Sequence, residues 1–147
     1  MWIEDHKEFY DIILSKYNYL FDRYGFRIVF DEVFYDGIVR EVYLKNEICE
    51  IHFEYERGGF GIDILKNNER YDIRLLISFF EKIKGVPIGG DLIKRKKEDE
   101  DEIRFKELFV ICAVLLKRSI DVILEHFKDE NYEEFKRQYE EWENSLR

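Results

Sequence analysis

The chain has 147 residues, enough for one core, and its 46% hydrophobic and 17% aromatic content excludes a disordered polymer. With 33 acids against 24 Lys and Arg, its formal charge of −9 repels nucleic-acid phosphates and anionic lipid and favours cationic partners. The longest apolar run, Leu108 to Leu116, falls short of the roughly 20 residues that span a bilayer. The start MWIEDHKEFY has no apolar signal-peptide segment, so the expected location is cytoplasmic.

In chain order, Asp5 is the expected N-cap of a first helix, with Glu8 in the capping-box position. Phe9, Ile12, Ile13, Leu20, Phe21 and Tyr24 recur at helical spacing and predict one helix running to Gly25. Gly25 then serves as the left-handed stop, and Phe26 folds back on Phe21. Arg27 to Tyr35 reads as a strand of open phase. Ile28, Phe30 and Phe34 share one face with Glu32, whereas Val29, Val33 and Tyr35 share the other with Asp31. Either phase sets an acid in the apolar row, which predicts a bulge or an edge position. Asp36-Gly37 predicts a two-residue hairpin turn into a strand from Ile38 to Lys45. There Val42 and Leu44 point in, Val39, Glu41 and Tyr43 point out, and Arg40 fits poorly on the inner row. After a tight turn at Asn46-Glu47 comes the clearest hairpin, ICEIHFEYERGGFGIDIL. Cys49, Ile51, Phe53 and Tyr55 fall on one face and Glu50, His52, Glu54 and Glu56 on the other. Past Arg57-Gly58-Gly59, the residues Phe60, Ile62 and Ile64 alternate with Asp63.

Lys66 to Arg70 reads as a polar connection, and Asp72 caps a helix with the stripe Ile73, Leu76, Ile77, Phe80 and Ile83, ended by Gly85 and Pro87. Residues 91–102 carry a basic run followed at once by an acidic one and predict a charged, mobile loop, whose fields cancel within a Debye length of about 8 Å. Ile103 to Phe127 is the longest helix. Its middle, LFVICAVLL, is apolar all round and so must be enclosed. Asn131 is the expected cap of a last helix with Glu134 in the box position, and Phe135, Tyr139, Trp142 and Leu146 make one docking face. Together these elements predict a single α+β domain over residues 1–147: an N-terminal helix, a four-stranded antiparallel meander, then three helices packed on one face of the sheet.

No motif for catalysis, a cofactor or a metal emerges. His6, His52 and His126 are isolated, no serine neighbours a histidine, and Cys49 and Cys112 read as reduced, buried thiols. Asp63 and Lys66, with Glu50 across the hairpin, offer two acids and a lysine to a metal-dependent nuclease, although the Glu-x-Lys spacing is missing. What remains is the outer row of the sheet: Glu41, Tyr43, Glu50, His52, Glu54 and Asp63. Such a face suits a cationic protein partner through charge steering and a tyrosine anchor, or else serves only as a solvated surface that prevents aggregation. A homodimer through the Phe135–Leu146 stripe, or through the edge near Arg27–Tyr35, is the structural alternative.

The succession LFDRYGF (20–26), VYLKN (42–46) and IHFEYE (51–56), followed by a helix, resembles small acidic bacterial α+β proteins of the uncharacterised or toxin-immunity type. The resemblance implies an acidic, cytoplasmic, non-enzymatic protein that neutralises a basic toxin domain by binding it; no cofactor is expected.

Overall fold

The N-terminal helix starts where the sequence places it. The Glu8 amide donates to Asp5 Oδ1 at 2.9 Å, and the Glu8 carboxylate accepts in return from the Glu4 amide at 3.0 Å. The computed structural model describes residues 2–91 and 105–147. The expected charged loop, apart from Asp91, and the expected Ile103 start of the long helix lie outside those residues. Helix α1 (His6–Lys16) is shorter than the continuous stripe predicts, and a separate turn, α2 (Tyr19–Asp22), follows it. The break has a physical reason. In an unbroken helix, Tyr17 and Tyr19 would point about 200° apart. Here both enter the core, and their hydroxyls donate to the carbonyls of Phe109 (2.6 Å) and Ala113 (2.7 Å). As expected, Gly25 ends this segment with φ +70°, and the Phe26 amide reaches back to the Leu20 carbonyl at 3.0 Å.

The sheet is an antiparallel meander of five strands: β1 (Arg27–Phe34), β2 (Val39–Lys45), β3 (Glu50–Glu56), β4 (Gly59–Lys66) and β5 (Glu69–Asp72). The fifth strand corrects the expected four. Asn67 and Asn68 both take positive φ, 50° and 67°, which makes a primed two-residue hairpin of what reads as a polar connection. Tyr71 then goes into the core and anchors β5. The β1–β2 connection is also longer than two residues: Tyr35–Gly37 form a single 3-10 turn, with Tyr35 and Asp36 at positive φ.

A bulge between Ile28 and Phe30 resolves the phase of β1. Ile28 faces inward beside Leu44. Beyond the bulge Asp31 and Val33 face inward, and Phe30, Glu32 and Phe34 face out. The inward acid meets the awkward inward base. Arg40 grips Asp31 with both arms, at 2.9 and 2.8 Å, while its guanidinium lies 4.0 Å over the Tyr10 ring and donates to the His6 carbonyl at 3.4 Å. The two misfits of the sequence thus form one fitting that closes this end of the sheet onto α1.

Among the described residues, three helices follow the sheet: α3 (Ile73–Lys82), α4 (Phe105–Phe127) and α5 (Asp129–Ser145). Asp72 caps α3 as expected, its Oδ1 accepting from the Arg74 amide at 2.8 Å. Asn131 does not cap α5, which begins before it; its side-chain amide donates instead to the Glu125 carbonyl at 2.9 Å, at the end of α4 where carbonyls lack partners. Helices α1 and α4 seal the inner face of the sheet around Phe109, whose ring packs on Phe9 (5.0 Å), Tyr17 (5.2 Å) and Phe60 (4.8 Å). A second aromatic centre joins Tyr71, Phe79, Phe127, Phe135, Tyr139 and Trp142. The α5 stripe expected to dock a partner is therefore spent on this chain's own core, and of its members only Leu146 stays exposed.

Phe109→Ala, which empties the junction of helices and sheet, is expected to cost about 3–5 kcal/mol of stability in urea denaturation. Tyr17→Phe, which removes one buried hydroxyl, is expected to cost only about 1 kcal/mol.

Candidate functional site

The sheet has a second face, turned away from the helices, and register determines what lies on it. Antiparallel partners carry side chains to the same side, so each outer row can be followed from strand to strand at about 4.8 Å per step. One row runs Phe30, Tyr43, His52, Asp63, Asp72. The next runs Glu32, Glu41, Glu54 and ends at Gly61. On the other side of the aromatic row stand Lys45, Glu50, Leu65 and Arg70. Glu56 lies beyond the acidic row, opposite Val39 and Gly59.

The first row is a ladder of flat rings. Tyr43 and His52 lie face to face with centroids 3.6 Å apart and planes within 8°, and Phe30 stacks on the other side of Tyr43 at 4.8 Å. His52 is buried, although it sits on the outer face. Its Nε2–H donates to Glu50 Oε2 at 2.9 Å, and its Nδ1 has no hydrogen-bond partner. The Tyr43 hydroxyl donates to Glu41 Oε2 at 2.9 Å. Burial first, then the Glu41 hydrogen bond and the charges of Glu41 and Glu54, push that hydroxyl up to about 12.

The second row is a line of acids with little compensation. Asp63 is held by Arg70 at 2.6 Å and Glu50 by His52, but no basic side chain among the described residues pairs with Glu32, Glu41, Glu54 or Glu56. Glu41 and Glu54 stand directly opposite each other. The Glu54 carboxyl is raised above the ordinary carboxylate range by partial burial and by the like charges of Glu41 and Glu56, with Arg70 opposing.

All six residues singled out from the sequence lie on this face. Tyr43, His52 and Asp63 share the aromatic row, Glu41 and Glu54 the acidic row, and Glu50 flanks the aromatic row through His52. Sequence reasoning placed Glu56 on this face without counting it in the site, and missed Phe30, Glu32 and Arg70. Phe30 and Glu32 were recoverable from a pairing of Asp31 with Arg40, which forces their neighbours outward. The nuclease set does not converge: Lys66 turns to the inner face, where its ammonium donates to the Ile48 carbonyl (2.9 Å) and Asp129 Oδ1 (2.7 Å), away from Asp63. Among the described residues, no group of three His, Cys, Asp or Glu side chains is placed to hold a metal ion. The Cys49 thiol is buried, and burial pushes it up to about 12.

Compared with known proteins, the chain matches no family model, no curated protein and no solved structure. Among the described residues, no helix is long and apolar enough to cross a membrane.

The crowding of acids has a measurable sign. A carboxyl raised in the folded state holds its proton more tightly there, so folding stability falls as pH rises through its titration. Glu54→Gln is therefore expected to stabilise the protein at pH 7 by up to about 0.5 kcal/mol, a small effect because solvent screens the row. The gain should vanish below about pH 3, where the wild-type carboxyl is protonated in both states. Denaturation curves of both proteins across this pH range check it.

Proposed function

We propose that the chain is a non-enzymatic binding protein whose outer sheet face docks a cationic protein, in the manner of an immunity protein that neutralises a basic toxin domain. The observation that carries this reading is the uncompensated row Glu32–Glu41–Glu54, laid beside the stacked rings of Phe30, Tyr43 and His52. Aligned like charges on a sheet are destabilising, and a cation arriving from a partner relieves them. The rings add flat apolar area on which an arginine can lie, with little side-chain entropy to lose. The net charge of −9 steers a basic partner towards the chain and holds nucleic acid off. A cytoplasmic setting, where such a toxin would act, fits the same reading.

Affinity capture from the host, followed by mass spectrometry, is expected to retain a basic protein or domain. Its binding should weaken at least about tenfold with Glu41→Lys plus Glu54→Lys, and again on raising salt. Growth arrest by that captured domain should be relieved by co-expression of the wild-type chain and not of the double variant. Binding that survives the charge reversal unchanged would remove the acidic face from the explanation.

A further inference from the structure

The outer face is bordered by a strand edge that nothing among the described residues covers. Strand β1 is terminal in the sheet, eight residues long, and pairs only with β2. Its sequence RIVFDEVF contains neither lysine nor proline; of the features that blunt an edge it has the bulge before Phe30 and the inward Asp31, whose charge Arg40 neutralises at 2.8 Å. Val29, Val33 and Phe34 on it are each more than a third exposed, as are Tyr35 and Ile38 at the adjoining turn. The opposite edge differs: β5 has four residues, with Glu69 tied to Lys136 of α5 at 3.2 Å and Tyr71 sunk in the core.

We infer that the β1 edge accepts an extended, cationic segment of the partner as a sixth strand, continuing the sheet beyond Arg27–Phe34. This rests on the acidic face being the recognition surface, and it specifies the form in which the cation arrives. A strand laid along β1 sets its alternate side chains beside Phe30, Glu32 and Phe34 on the outer face. The side chain beside Glu32 then extends the row Glu32–Glu41–Glu54 by one position, which suits arginine or lysine, and its neighbours two residues away lie against Phe30 and Phe34. Apolar side chains on the other face meet exposed Val33. Main-chain hydrogen bonds supply affinity, and the central cation supplies selectivity. A second copy of the chain is the poorer occupant. It brings another −9 of charge, and antiparallel pairing about the middle of β1 sets Asp31 directly opposite Asp31 of the second copy.

The test uses the full chain, labelled with nitrogen-15, and three synthetic octapeptides. One alternates arginine with valine, one has its two central residues replaced by proline so that neither edge can pair, and one carries glutamate in place of arginine. The arginine peptide is expected to slow hydrogen exchange at alternate β1 amides and to give cross-strand proton contacts with β1. The proline peptide should bind at least about tenfold more weakly, and the glutamate peptide should not bind detectably. Equal binding of the arginine and proline peptides, with shifts centred on Tyr43 and Glu54 and no contacts along β1, would overturn the sixth strand while leaving the acidic face standing. Failure of both basic peptides to bind at low salt would sink the two together. Self-association through β1 in sedimentation, competing with the peptide, would give the edge to a second copy and refute the inference.

Discussion

Phe109 stands where the layers of this protein meet. Its ring touches α1 through Phe9, the cap of that helix through Tyr17, β4 through Phe60 and β3 through Phe53, while it is itself part of α4. A five-stranded sheet with one apolar face needs that face sealed; α1 and α4 seal it around Phe109, and the later helices cover it around Tyr71 of β5. The tyrosine hydroxyls on the carbonyls of Phe109 and Ala113, one helical turn apart, add direction to an otherwise non-directional contact. They fix which side of α4 meets the sheet and how far along it lies.

Sealing one face determines the character of the other. The helices take the apolar row of every strand, so the charge of the chain is displaced to the remaining row and concentrated there. On β3 this gives Ile51, Phe53 and Tyr55 inside with Glu50, Glu54 and Glu56 outside. His52 departs from the pattern, since it is buried on the outer side. It owes that burial to the rings stacked beside it rather than to the core, so the aromatic ladder is a small packed layer of its own on a wet surface.

The parts of this architecture that rest on short-range rules were legible in the sequence. The alternation from Cys49 to Tyr55, the Asp5 and Asp72 caps and the Gly25 stop each follow from local chemistry, and each is present. What escaped depends on partners distant in the chain. Tyr17 and Tyr19 break the first helix because carbonyls more than ninety residues away receive their hydroxyls. β5 was hidden because only Tyr71 in it is apolar and buried, and because an Asn-Asn turn resembles a loop until its backbone is seen. Asn131 has the composition of a cap but serves the end of the preceding helix. The six outer residues could be placed because β2, β3 and β4 keep strict alternation. Phe30 and Glu32 could not be placed by alternation alone, because the bulge in β1 breaks it.

That irregularity at Val29 acts as a frameshift within the strand. Before it, β1 is read as a core strand, with Ile28 beside Leu44; after it, the same period of two writes aromatic and acidic residues onto the solvent side. One added residue thus lets a single stretch of chain contribute to both surfaces in succession. It also means that the composition of the outer face is set by the length of the chain at this point as much as by the identity of its residues. An insertion or deletion of one residue here would exchange Phe30, Glu32 and Phe34 with Asp31 and Val33, strip Arg40 of its acid and rewrite the outer face, with no charged residue substituted anywhere.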